Sequence, residues 1–125
     1  MKDIQTREDV EFLVNTFYKK IINDDIIGFY FTDIAKIDLS KHLPKMYNFW
    51  ESILLGNPVY DGYPMAPHFK LNENTAMEEK HFNRWLQVWE ETVHSHFEGE
   101  VAEIAVTRSL NIARIMHHKM VKARS

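Results

Sequence analysis

Hydrophobic positions recur along this chain with the period of a helix and nowhere with the period of a strand. Val10, Leu13, Val14, Phe17, Tyr18, Ile21 and Ile22 follow the i, i+3, i+4, i+7 spacing that gives a helix one apolar stripe. Thr6 precedes that stripe with Asp9 three residues on, an order that satisfies two orphan N–H groups at a helix start. Asn23-Asp24-Asp25 ends the pattern, and Ile26 to Phe31 reads as a short corner closing near Thr32. A second helix is predicted from about Lys41 to Leu55, with Pro44 in its first turn and Gly56 just past its end. Thr75-Ala76-Met77-Glu78 has capping-box order and opens a long helix through Phe97, which Gly99 stops. A last helix covers roughly Val101 to Val121, with Ile104, Ala105, Ile112, Ile115 and Met116 as its apolar stripe. No internal repeat is visible. The pattern predicts an all-α fold of four main helices, one domain spanning residues 1–125.

One stretch breaks the periodicity. Asn57 to Asn74 holds three of the four prolines, with Gly62 among them, and cannot form a long helix. It reads as a loop with about one helical turn around His68, and a loop of that length in so short a chain usually carries function. Pro67 fixes its own φ and biases Ala66 toward an extended conformation, so His68 is presented from a constrained segment.

Two helical faces stand opposite. His42, Met46, Phe49, Trp50 and Ile53 share a face of the second helix at helical spacing. Phe82, Trp85, Leu86, Trp89 and Val93 share one on the long helix. A plain core absorbs such stripes readily. Yet His42 at the mouth of one stripe and Tyr18 at the end of another are polar, and buried Tyr and Trp normally need a hydrogen-bond partner. Tyr18, His42 and Trp85 are therefore placed to converge on a small bound ligand. An imidazole on a constrained segment, among flat aromatic and methionine side chains, suits a planar iron cofactor.

Composition removes several alternatives. The chain has 125 residues, a formal net charge of −3 and 26% charged residues, without the clustered Lys/Arg excess of a nucleic-acid footprint. There is no cysteine, so disulfides, thiolate metal sites and covalent Cys-x-x-Cys-His haem attachment are all excluded. No apolar run approaches membrane-spanning length and the N-terminus lacks a signal-peptide core, so no membrane partner and a cytoplasmic location are expected.

The chain resembles the truncated haemoglobins, and within them the third group. The matching pieces are Phe17-Tyr18, Gly28-Phe29-Tyr30-Phe31, His42 through Phe49-Trp50, Leu54-Leu55-Gly56 and Tyr60-Asp61-Gly62 through Pro64-Met65 to His68. They continue with Phe82, Arg84-Trp85-Leu86, Arg108 and Ile112-Ala113, in order over nearly the whole chain. The Gly-Gly pairs of other truncated groups are absent. The resemblance implies a two-over-two helical sandwich around one non-covalent haem b, with His68 as the proximal ligand to iron. It makes Tyr18 and Trp85 the distal hydrogen-bond donors, His42 the distal gate and Met46 its apolar neighbour one turn inward. Phe31 is implied on the haem face, and Phe49, Trp50, Met65, Phe82, Trp89, Ile112 and Met116 in the surrounding pocket. Lys45 and Arg84 are candidates to pair with haem propionates.

The implied function is binding of O2, NO, CO or a similar small ligand, with an electron-donating reductase to keep the iron ferrous. Donors worth roughly 1 to 2 kcal/mol each slow oxygen release about five- to thirty-fold. The alternative is haem-based redox turnover of a peroxidase or nitric oxide dioxygenase kind. A different class rests on Glu78-x-x-His81 and Glu91-x-x-His94, whose spacing occurs in di-iron bundles. Both lie on one helix, separated by roughly 20 Å of rise, so they cannot share a metal pair. A helical interaction module without a cofactor is the third reading, and a visible spectrum separates the three.

Overall fold

The computed structural model describes residues 1–29, 38–59 and 78–124, and these fold as four helices. Helix α1 spans Arg7–Ile22, α2 Leu39–Leu54, α3 Glu79–His96 and α4 Glu100–Arg124. The pair α1/α2 packs over the pair α3/α4, with α1 on α3 and α2 on α4. This is an all-α, two-over-two arrangement.

The first helix begins as its sequence requires. Thr6 caps it, its side chain accepting the Asp9 N–H, while Asp9 accepts back from the N–H of Thr6. Its stripe from Val10 to Ile21 is buried. After Asn23 the chain turns sharply. One carboxylate oxygen of Asp24 accepts the N–H of Ile26 and Ile27, and the Asp24 carbonyl accepts that of Gly28. A Cβ at Gly28 would stand 2.7 Å from the Ile22 carbonyl oxygen, so only glycine lets the corner fold back this closely.

Two helix starts differ from expectation. Helix α2 opens at Leu39, where Asp38 accepts the Ser40 N–H, two residues before the predicted start. Pro44 therefore lies inside the helix rather than in its first turn, without an N–H for the Ser40 carbonyl one turn back. Gly56 follows at φ +75°, the left-handed conformation expected past a helix end. Helix α3 opens at Glu79, not after Thr75: Glu78 is its extended N-cap, and the Glu78 N–H donates to His81 Nδ1. That bond takes His81 out of any metal-binding reading of Glu78-x-x-His81.

The fourth helix corrects the predicted stripe. Ile104 is 39% exposed and Ile115 48%, whereas Ala102, Ala105, Ser109, Ala113 and Met116 form the buried face. Small side chains win the interior because they let α4 approach α3 closely; Trp89 Nε1 donates directly to the Ala105 carbonyl at 3.1 Å. The start of α4 is held by the chain's own beginning. Asp3 accepts the N–H of Val101 and Ala102 at 2.9 and 2.8 Å, a cap supplied from almost a hundred residues away. Gly99, at φ +134°, gives that carboxylate room, since a Cβ there would lie 2.5 Å from Asp3 Oδ2. No helix among the described residues is long and apolar enough to cross a membrane.

Candidate functional site

An aromatic cluster lies where all four helices meet. Helix α1 brings Phe17 and Tyr18, both buried because they continue its core stripe. Helix α3 brings Trp85 and Trp89, four residues apart on one face, with indoles parallel within 4° and centroids 6.3 Å apart. The Phe17 ring stands edge-on to both, at 5.6 and 5.1 Å. From α2, Trp50 stacks on Trp89 at 4.6 Å, and Phe49 stands edge-on to Trp50. Such offset and edge contacts add about 0.5–1.5 kcal/mol per pair beyond buried area, and they fix ring orientations.

These rings enclose a small cavity, closed further by Met46 from α2 and by Ile112 and Met116 from α4. The space it leaves to the centre of a water-sized sphere is about 30 Å³, room for a diatomic molecule or about two waters. Among the described residues, no charged side chain lines it. Its polar atoms are the Tyr18 hydroxyl and indole N–H groups. The Trp89 N–H is taken by the Ala105 carbonyl. Among the described residues, no acceptor pairs with the Trp85 N–H.

At the rim, Tyr18 and His42 meet. Tyr18 Oη lies 2.8 Å from His42 Nε2, with the rings edge-on at 5.1 Å. Burial pushes the Tyr18 phenol well above its ordinary range, because the charged phenolate would give up its hydration there. Tyr18 is therefore a neutral O–H at any physiological pH.

The other residues singled out in the sequence fall elsewhere. Arg84 turns away from the cavity toward the corner after α1: its Nε and Nη2 lie 2.7 and 2.6 Å from Asp24 Oδ2. Lys45 is exposed on α2. Phe82 is buried but outside the cavity lining, its ring stacked on His117 of α4 at 4.9 Å. His94 pairs with Glu103 at 2.9 Å across the α3–α4 junction. Phe31, Met65 and His68 lie outside the described residues. Phe17, which the sequence showed only as core, also belongs to the wall. The one signal for that was its place beside Tyr18 at the edge of the stripe.

The donor set suits a haem protein. Carbon, sulfur and neutral donors make an apolar wall for a flat cofactor and its small ligand, and among the described residues no carboxylate that would hold a bare cation lines it. Among the described residues, no group of three His, Cys, Asp or Glu side chains is arranged to hold a metal ion.

The chain is similar to known proteins. Residues 2–121 match the family described as bacterial-like globin. The chain is 26% identical over 119 residues to the group 3 truncated hemoglobin of Campylobacter jejuni, a match covering 93% of this chain and 91% of that one. The crystal structure of the group III truncated hemoglobin from Campylobacter jejuni aligns with a TM-score of 0.81 at 25% identity, over 96% of this chain and 95% of that chain.

Proposed function

We propose, for a chain that belongs to the bacterial-like globin family and is thus a haem-binding globin, that the cavity between Tyr18 and Trp85 holds a diatomic ligand of the haem. The observation that carries this reading is the cavity itself: small, lined by apolar rings, and with Tyr18 and Trp85 from different helices in its wall. Dioxygen is the ligand we favour. The cofactor is haem b, with His68 as the iron ligand, and when bound it supplies reversible coordination of the diatomic.

Tyr18 and Trp85 do the holding. A dioxygen ligand drawn toward superoxide character gains from O–H and N–H donors, and in a site without competing water each such bond counts for more. Tyr18 stays a donor because burial keeps its proton on. His42 decides where that proton points. In the tautomer carrying hydrogen on Nε2, His42 donates to Tyr18 Oη, so the phenol's own hydrogen is not consumed in that bond. Trp85 is held at a fixed angle by Phe17 and Trp89, so its N–H keeps one direction. Met46 sits on α2 one helical turn beyond His42 and sets the apolar side of the space. Tight retention of this kind fits scavenging, sensing or chemistry better than bulk delivery. An electron-donating reductase belongs to this reading, because dioxygen binds only ferrous haem.

Titration with hemin tests the assignment of His68. The wild-type chain is expected to take up one equivalent with a Soret band, His68→Gly to lose it, and added imidazole to restore it in the glycine variant. A His68→Gly protein that retains the normal spectrum without imidazole moves the iron ligand elsewhere, with His42 the first position to test.

A further inference from the structure

Asp24 carries two jobs on one carboxylate. Oδ1 accepts the N–H of Ile26 and Ile27 and so folds the corner after α1. Oδ2 receives both the Nε and the Nη2 of Arg84 from α3, sixty residues on in sequence. The Asp24 side chain is only 5% exposed and that of Arg84 29%, so the carboxylate end of this pair is shielded from water. Phe17 also meets α3 through aromatic edges, which are soft to sliding. A charged hydrogen bond with two donors on one oxygen is not. Arg84 is also the residue immediately before Trp85, so fixing its guanidinium fixes the rotation and height of α3 at the indole.

We propose that Asp24 is a positioning residue for the ligand: through Arg84 it sets the place of the Trp85 indole relative to Tyr18. The proposal rests on the reading of Tyr18 and Trp85 as ligand donors, and it adds a second consequence. The corner from Asp24 to Gly28 and the cavity wall form one mechanical unit, so a change in the corner is felt at the indole.

Two substitutions open the pair from either side while leaving the corner folded. Asp24→Asn keeps an oxygen for the Ile26 and Ile27 N–H groups, and Arg84→Gln leaves Asp24 intact. The haem-loaded carbon monoxide form is studied by hydrogen–nitrogen correlation spectra, followed by oxygen dissociation. Both variants are expected to shift the Trp85 indole resonance in the same direction. Both are also expected to speed oxygen release roughly three- to ten-fold, an effect that vanishes in a Trp85→Phe background. Acceleration of equal size with and without Trp85, or an unmoved indole resonance, overturns the proposal. If Arg84 instead serves haem carboxylates, Arg84→Gln alone weakens hemin retention and Asp24→Asn does nothing, which also overturns it. Should Trp85→Phe leave oxygen release untouched, the ligand reading fails. The indole shift then decides positioning by itself, upheld if both variants move it and lost if neither does.

Discussion

Tyr18 of α1 and His42 of α2 share a hydrogen bond of 2.8 Å at the rim of an apolar cavity, with their rings edge-on. The pair ties the first two helices together beside that cavity. It also joins a group that does not titrate near neutrality to one whose type does. The phenol's raised pKa means the fold favours its neutral form. The stability this gives is fully present below the ordinary phenol pKa and is lost as pH rises beyond it.

Ligand kinetics are accordingly expected to show no phenol ionisation between about pH 6 and pH 9. Any pH dependence in that window should persist in Tyr18→Phe. Stopped-flow oxygen or carbon monoxide kinetics across the range check this. A transition near neutrality that vanishes with Tyr18→Phe but survives loss of His42 contradicts a neutral, buried phenol.

The close face of α4 predicts an asymmetry between two apolar substitutions. Ala105→Leu inserts bulk against Trp89, where Ala105 is fully buried, and should cost about 1–3 kcal/mol with a disturbed cavity. Ile115→Ala, at 48% exposure, should lie within about 0.5 kcal/mol of wild type. Denaturant unfolding of the two variants is the check. Equal costs would place the stripe where the large side chains are.

Acid should loosen the fold through three aspartates. Burial works against the charge of Asp3, Asp9 and Asp24, but the N–H groups of Val101, Ile4 and Ala102 hold the first below its ordinary range. Lys2 with two backbone N–H groups does so for the second, and Arg84 with two more for the third. A depressed carboxylate stabilises the fold above its unfolded pKa and loses that contribution as pH falls through the folded value. Thermal melts should therefore be flat from neutrality to about pH 5 and drop below about pH 4. Asp3→Ala should cost about 1–2 kcal/mol at neutral pH, as loss of a cap does, and show a shallower acid drop. A variant with the wild-type acid slope would remove Asp3 from the cap of α4.

Several local signals in the chain pointed to the right places, though two helix starts were misread. The Thr6–Asp9 box, the α1 stripe and Gly56 all act within one or two turns, so spacing alone exposed them. The Trp85–Trp89 and Met46–Trp50 faces were visible for the same reason, and eight of the expected pocket residues line one space with His42 at its rim. Long-range pairs were not visible. Nothing near Arg84 points to Asp24, and nothing near Asp3 announces that it caps a helix beginning at Glu100. The α4 stripe held at Ala105 and Met116 but failed at Ile104 and Ile115 for a different reason. Hydrophobic size suggested Ile104 and Ile115, while close packing against α3 demanded alanine and serine. His68, the residue that mattered most to the sequence reading, lies outside the described residues and depends on experiment.

Oxygen dissociation from the ferrous haem-loaded protein, compared with Tyr18→Phe and Trp85→Phe, tests the ligand wall most directly. Each substitution is predicted to speed release about five- to thirty-fold at unchanged haem content, as loss of one donor of roughly 1–2 kcal/mol requires. Release at the wild-type rate in both variants would mean that the cavity between these two side chains does not hold the ligand.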